Sequence, residues 1–575
     1  MIARTLVALT LVTAALACGG ADPSTFAENW TYRAGAAPVT GEHGMVVTTD
    51  ELASQVGVDV LRAGGNAVDA AVAVQFALAA VNPESGNIGG GGFMVLRTAD
   101  GATAALDFRE KAPLAATRDM YLDEQGNVTD RSVVGHLASG VPGSVAGMWA
   151  AHERHGSLPW TDLVAPSVRL AEGFEVRPRF LGSLSPEMVA SLSAYDASAE
   201  QFLPRDGQPP VVGDTLRQPD LARTLSRIMD QGTDGFYRGE TADLIVAEME
   251  RGGGIITHED LERYEPAWRD PIVFGYRDHT IVSMPPSSSG GATMAEMANI
   301  LEQYDLGGMD RFSAETVHLF AEAWRRAYAD RNYYLADPDF LDMPLERMTS
   351  EAYGRERAAT ISLDAATPST EVEPGMADYE ESENTTHFSI VDGEGNAVAV
   401  TTTINSRYGS KVTVTGAGFV LNNEMDDFTS KPGTPNQFGL VQGERNAIEP
   451  GKRMLSAMTP TLVLGPEGAL RIVTGTPGGS TIITTVFQAI SNVVDFGMNV
   501  VDAVHAPRVH HQHLPDQIQY ERNGLRPAVV AELEAMGHAV SERSGVSGDV
   551  QMIVIEDGRI TGWSDPRRGG KAIGY

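Results

Sequence analysis

Two short runs of alternating side chains stand out in the last third of the chain, Thr386-His-Phe-Ser-Ile-Val391 and Val398-Ala-Val-Thr-Thr-Thr-Ile404. Asp392-Gly393-Glu394-Gly395-Asn396 lies between them and supplies the turn chemistry of a β-hairpin. With Glu394 at the centre of the turn, Thr385 faces Thr403. Their Cβ atoms then lie about 4.5 to 5.5 Å apart, which puts the two hydroxyls within hydrogen-bond reach.

Other patterns fill in the rest. Asp50 is placed to cap a helix running to Leu61-Arg62 and ending at Ala63-Gly64-Gly65, and Ala67 to Val81 is an almost wholly apolar segment that suits a helix buried on most sides. The glycine-rich stretch Gly86 to Gly92 leads into a second hairpin, Phe93–Arg97 and Thr103–Arg109, with Arg109 at its exit. From Leu158 to about Tyr353 the pattern is mostly helical, with apolar spacing in Leu221–Ile228 and in Ala314–Tyr328. Asp364 to Asn384 turns polar and acidic and reads as an exposed segment leading to Thr385. Strands are expected at Gly418–Leu421, Thr461–Leu464, Leu470–Val473 and Val550–Ile555, and a helix at Thr481–Val493. Helices followed by strands, then more helices and a closing strand, imply an α+β fold of stacked sheets covered by helices.

Charge and compartment narrow the function. With 43 basic and 76 acidic residues the net charge is −33, and phosphate neutralisation needs clustered Lys and Arg, so nucleic acid is disfavoured as a partner. Arg4 followed by the apolar run to Ala17 has the form of an export signal, too short to span a bilayer. Residues 18–38 then read as a tether. Cys18, the only cysteine, stands where a bacterial lipoprotein carries its lipid, although Ala15-Leu16-Ala17 is also an ordinary cleavage site. A lone cysteine allows no intrachain disulfide.

Hydroxyls and glycines carry the candidate chemistry. A threonine exposed as a new N-terminus offers its hydroxyl as nucleophile and its own α-amine, with a pKa of about 8, as base. Thr474-Gly-Thr-Pro-Gly-Gly-Ser480 sits between a strand and a helix, and its successive glycines allow consecutive N–H groups to point at one spot, as an oxyanion hole requires. Gly86 to Gly92 lacks a following Gly-Lys-Ser/Thr, so close backbone packing explains it better than phosphate binding. His505, His510, His511 and His513 match no common metal-ligand spacing. No Gly-x-Ser-x-Gly elbow occurs, which disfavours αβ-hydrolase chemistry. Asn422 to Phe428 gathers three carboxylates in one loop, suited to acid–base work or to an ammonium group.

Leu106-Asp-Phe-Arg-Glu110, Pro285-Pro-Ser-Ser-Ser-Gly-Gly291, Thr385-Thr-His387, Leu421-Asn-Asn-Glu-Met-Asp-Asp-Phe428, Pro477-Gly-Gly-Ser480, Ala506-Pro-Arg-Val-His-His-Gln512 and Ser564-Asp-Pro-Arg567 stand in this order along the chain. In this order and spacing the chain resembles the γ-glutamyltransferases of the N-terminal nucleophile hydrolase superfamily, from about Gly41 to Tyr575. The resemblance implies a four-layer αββα sandwich. It also implies a proenzyme that cleaves itself between Asn384 and Thr385 into a large subunit, 39–384, and a small subunit, 385–575. Thr385 would be the nucleophile, Thr403 its hydrogen-bond partner, and Gly478 and Gly479 the oxyanion hole. Arg109 and Ser456 would hold the α-carboxylate of a γ-glutamyl donor such as glutathione, and Asn405, Glu424 and Asp427 its α-ammonium. Water, an amino acid or a dipeptide would accept the γ-glutamyl group, with no metal or organic cofactor.

The chain departs from the family at two positions. Ser456 is followed by Ala457 where many bacterial members have a second serine, which removes one donor. Phe438, in the stretch matching the lid over the pocket, stands where members often have tyrosine and cannot donate a hydroxyl bond. A glutaryl or cephalosporin acylase on the same fold is the near alternative, and an inactive exported binding lipoprotein the distant one.

Overall fold

The structure, a computed structural model, describes residues 26–32, 35–372, 385–434, 437 and 443–575. Cys18, Asn384, Phe438 and the expected export signal lie outside these residues.

Fourteen strands make two seven-stranded antiparallel sheets. In chain order they are β1 (Val39–Gly41), β2 (Met45–Thr48), β3 (Gly91–Arg97), β4 (Thr103–Asp107), β5 (Ala267–Arg269), β6 (Ile272–Tyr276), β7 (His279–Ser283), β8 (Thr386–Val391), β9 (Ala397–Thr403), β10 (Thr461–Leu464), β11 (Leu470–Gly475), β12 (Gln551–Glu556), β13 (Arg559–Ser564) and β14 (Lys571–Gly574). One sheet runs β14-β2-β8-β9-β3-β4-β5 and the other β1-β13-β12-β11-β10-β7-β6. The hairpin β8–β9 pairs Thr386 with Thr402 and Val391 with Ala397, which is the register expected from its turn.

Alternation along these strands divides the core in two. Val46, Met94, Leu96, Phe388, Ile390, Val398 and Val400 pack on the side of helices α1 (Glu51–Arg62) and α2 (Ala67–Val81). Their neighbours in sequence, Met45, Val47, Phe93, Val95, Val391, Ala397 and Ala399, join Val463, Ile472, Val473 and Ile553 of the second sheet. That second core continues into helices α3 (Gly290–Leu301), α4 (Ala314–Tyr334) and α5 (Thr481–Val494). Period-two side chains thus place one sheet between α1 and α2 on one face and the other sheet on the opposite face, giving the expected four layers.

Local chemistry sets the helix ends. Asp50 accepts from the Leu52 N–H at the start of α1, and Asn66 with Asp69 forms a capping box on α2. All fifteen residues of α2 are buried, as its composition requires.

Two expectations need correction, the strand at Gly418–Leu421 and the tether, and two helical readings gain detail. Gly418–Leu421 is not a strand. Gly418, at φ +75, closes a turn in which its N–H and that of Phe419's partner Val414 bond locally, and only an isolated bridge joins Thr413 to Val420. Strands β5, β6 and β7 interrupt the helical middle third, turning at Arg277 with φ +55. The apolar spacing over Ala314–Tyr328 lies in a helix, α4, that continues to Tyr334. Within the stretch expected to be a tether, Phe26 and Trp30 are buried and the Trp30 indole donates to His505 O at 2.9 Å, so these residues are docked on the core.

Candidate active site

Thr385 and Thr403 share the parity of His387, Ser389 and Ala399, so both project into the space between the sheets. Ser389 Oγ bonds Gln551 O across that space, and the His387 ring packs so closely on Gly475 that a Cβ there would lie 2.3 Å from it. Gly475 ends β11, and the Thr476–Ser480 turn follows. The nucleophile candidate and the glycine turn, from different sheets, are therefore brought together by sheet stacking.

Thr385, Thr403, Arg109, Asn405, Glu424, Asp427, Ser456 and Gly479 line one narrow pocket, together with Leu455, Ala457, Met458, Ser480 and Ile482. Every polar group proposed for the site lies along this cavity except Gly478, one residue behind Gly479. Gly478 and Gly479 have φ of +143 and +56, which only glycine adopts without strain. Their carbonyls accept from Thr481 N and Ile482 N, turning the chain into α5, whose N-terminal end thus faces the pocket and favours developing negative charge there.

The approach to Thr403 depends on the other glycine run. A Cβ on Gly90 would lie 2.0 Å from Thr403 O, and one on Gly92 2.5 Å from Thr401 O, so this run serves close backbone packing. Asn87 Nδ2 then donates to Thr403 O at 2.9 Å, and the Asn405 N–H donates to Thr403 Oγ1 at 2.7 Å. Asn405 sits in the left-handed region at φ +70, with its amide tied to Asn423 O. Ser456 is held from below: its N–H donates to Ser287 O at 3.0 Å and its carbonyl accepts from Ser289 N and Oγ. Arg331 of α4 donates to that Ser289 hydroxyl, which links the Pro285–Gly291 motif to the pocket wall.

Arg109 is the electrostatic centre. Its Nη1 lies 2.5 Å from Glu424 and its Nη2 2.5 Å from Asp427, residues more than three hundred positions away, with Glu110 at 3.4 Å. One guanidinium therefore meets three buried carboxylates. Burial pushes Glu424 and Asp427 up to about 8 and Glu110 to about 7, against the pull of Arg109. Burial opposes the charge of Arg109 too, but Glu424, Glu110 and Asp427 together hold it well above its usual range. A guanidinium beside two carboxylates offers the chemistry to take a zwitterion, the fork receiving a carboxylate and the acids an ammonium. Cation and acids, expected to stand opposite each other, pair directly here.

Glu110 escaped the sequence reading of the site although it lies within a quoted motif, because a third acid beside an arginine carries no distinct signal in sequence. Leu455 and Met458 also line the pocket, and isolated apolar residues between motifs carry no signal that separates a pocket wall from core. The four candidate histidines do not converge: His510 bonds Thr484 and Gln512, His511 bonds Asp516, His513 bonds Ser369 O, and His505 bonds Trp563. Among the described residues, His318, Glu322 and His538 do bring ligand atoms within 4.8 Å of one another. His318 is hydrogen-bonded to both His538 and Ser362 O, while Arg325 and Arg326 pair with Glu322, so two guanidiniums occupy the place of a cation. Among the described residues, no helix is long and apolar enough to cross a membrane.

The sequence model described as Gamma-glutamyltranspeptidase matches residues 53–575. The chain is 46% identical over 532 residues to the glutathione hydrolase proenzyme of Escherichia coli (strain K12), covering 92% of this chain and 91% of that one. It is 47% identical over 556 residues to the glutathione hydrolase proenzyme of Pseudomonas sp. (strain A14), covering 95% and 96%. In structure it is similar to the cephalosporin acylase from Bacillus halodurans, with a TM-score of 0.81 at 28% identity, covering 95% of this chain and 98% of that one.

Proposed function

The chain belongs to the gamma-glutamyltranspeptidase family, and from its pocket we propose how its residues divide the work of this enzyme, a γ-glutamyltransferase and glutathione hydrolase of the N-terminal nucleophile type. The observation that carries the proposal is the convergence of Thr385, Thr403, Gly479 and the Arg109–Glu424–Asp427 cluster on one cavity.

Cleavage between Asn384 and Thr385 leaves subunits 39–384 and 385–575 in one sandwich and frees the Thr385 α-amine. A γ-glutamyl donor such as glutathione enters as a zwitterion. Its α-carboxylate takes the Arg109 fork and Ser456, and its α-ammonium takes Glu424, Asp427 and Asn405. The Thr385 hydroxyl, oriented by Thr403, attacks the γ-carbonyl as the α-amine accepts its proton. Negative charge on the carbonyl oxygen is met by the N–H groups of Gly478 and Gly479 and by the start of α5. The leaving amine takes the proton back, and a γ-glutamyl ester remains on Thr385. Water hydrolyses the ester, or an amino acid or dipeptide amine takes the group.

Acylase chemistry on this fold is the weaker reading, because glutaryl and cephalosporin substrates offer no ammonium to Glu424 and Asp427. The N-terminal pattern supports export, to the periplasm or with a lipid on Cys18. Thr385→Ala tests the assignment: it is expected to remain a single chain with no γ-glutamyl anilide turnover, and unimpaired cleavage and turnover would overturn it.

A further inference from the structure

A second cation reaches the nucleophile residue. Arg568 Nη1 donates to Thr385 O at 3.3 Å. Arg568 belongs to the turn Asp565-Pro-Arg-Arg-Gly569, which is held at its start: buried Asp565 pairs with Arg508 at 2.5 Å and Arg567 at 3.1 Å and accepts from Val550 N at 3.0 Å. Farther along, Arg568 O accepts from Arg179 Nη1 at 3.2 Å. Arg179 is itself fixed by Thr49 Oγ1 at 2.8 Å, Asn82 Oδ1 at 3.0 Å and Glu84 at 3.2 Å. Arg568 is thus delivered to Thr385 by two anchored segments rather than reaching it from a loose surface.

The same guanidinium acts on Asp549, a fully buried carboxyl that burial and Asp565 push up to about 6 and that Arg568 and Arg179 pull down. Asp549 N donates to Thr476 Oγ1 at 2.7 Å, at the base of the glycine turn. Of the charged groups, Arg568 bonds the Thr385 carbonyl and Arg109, Glu424 and Asp427 share its pocket, while Arg179, Asp549 and Asp565 act on or beside Arg568.

We propose that Arg568 is a positioning residue for the nucleophile, fixing the Thr385 main chain through its carbonyl and, in the processed enzyme, keeping the Thr385 α-amine neutral by its charge. This rests on the reading of Thr385 as a nucleophile whose own amine is the base. When Oγ bonds to the donor carbon, that nitrogen must take the hydroxyl proton, so only the unprotonated amine is active. Free α-amines titrate near 7.7 to 8.0, roughly where the enzyme must work. The guanidinium binds the carbonyl of the residue that bears the nitrogen, so the two lie no more than about 7 Å apart, and a like charge at that range disfavours the ammonium. Arg568 is partly exposed, so screening limits the effect to about half to one pH unit.

The test is the pH profile of kcat/KM on processed enzyme. Removing the positive charge raises the pH at which the amine loses its proton, so the acid limb of Arg568→Ala should move up by about half to one unit. Activity at pH 7 should fall about three- to tenfold and return by about pH 9.5. Arg568→Gln, which keeps a donor for the carbonyl without the charge, should shift the limb likewise, and Arg568→Lys should keep the wild-type limb. If the alanine variant fails to mature, the glutamine and lysine pair decides. A wild-type limb in Arg568→Gln, or a loss equal at every pH, overturns the proposal. Thr385→Ala run alongside separates the two levels: turnover there removes the underlying reading, whereas a dead Thr385→Ala with unshifted Arg568 variants removes the proposal alone.

Discussion

Arg109→Lys tests the proposed donor site most sharply, because the two ends of this guanidinium hold different carboxylates. Nη1 and Nη2 each hold a carboxylate at 2.5 Å, so the fork spans two acceptors that one ammonium cannot bridge at once. When the donor carboxylate replaces them, lysine supplies one charge-assisted hydrogen bond where arginine supplies two. The loss is about 1.5 to 3 kcal/mol, or about 10- to 150-fold in donor affinity. The bond is made in both ground and transition states, so KM for a γ-glutamyl anilide should rise by this factor while kcat changes little. Arg109→Met goes further, leaving Glu424, Asp427 and Glu110 buried without their cation. Removing one partner of a buried pair costs about 3 to 5 kcal/mol, softened here because the acids can take up protons. These carboxyls sit at about 7 to 8, above their unfolded values, so the stability their protonation gives is complete at low pH and lost as pH rises through that range. The melting-temperature deficit of Arg109→Met should therefore widen from pH 6 to pH 9. An Arg109→Lys KM within threefold of wild type, or a deficit that narrows with pH, would refute the reasoning.

Three further outcomes follow from the same geometry. Ala457→Ser adds a hydroxyl beside Ser456 on the pocket wall, and steady-state kinetics should show donor KM lowered about two- to tenfold for one added hydrogen bond. Gly478→Ala places a Cβ 2.6 Å from Thr481 Oγ1 at φ +143, reshaping the oxyanion turn, and kcat should fall about 100- to 1,000-fold with donor KM nearly unchanged. Because burial pushes Glu424 and Asp427 up to about 8, both are largely protonated below that pH; an α-ammonium needs them ionised, so kcat/KM for γ-glutamyl anilide should climb from pH 6 to 8 more steeply than for its glutaryl counterpart.

The hairpin β8–β9 was legible because its side chains alternate and its turn fixes the count, so Thr385 could be set opposite Thr403 from sequence. Helices α1 and α2 were legible from Asp50, Gly64 and an unbroken alanine-rich face. Gly418–Leu421 misled because four consecutive apolar positions suit a buried loop as well as a strand, and β6–β7 were hidden within a stretch that is otherwise mostly helical. Convergence is harder to see. Nothing local in the sequence says that Arg109 meets Asp427, since the contact arises from the folding of one sheet edge onto a distant loop; the ordered family motifs made it visible. Arg568 lies just beyond the last of those motifs, and its contact with Thr385 emerges only when the C-terminal turn is laid against the start of β8.

The account stands most directly on Thr385 becoming an N-terminus. Intact-mass spectrometry of purified wild-type protein after overnight incubation should give two chains that part between Asn384 and Thr385, the smaller running to Tyr575, and a γ-glutamyl donor trapped by rapid acid quench should add its acyl mass to that smaller chain. A persistent single chain, or two chains with the acyl mass on neither or on the larger, would contradict it.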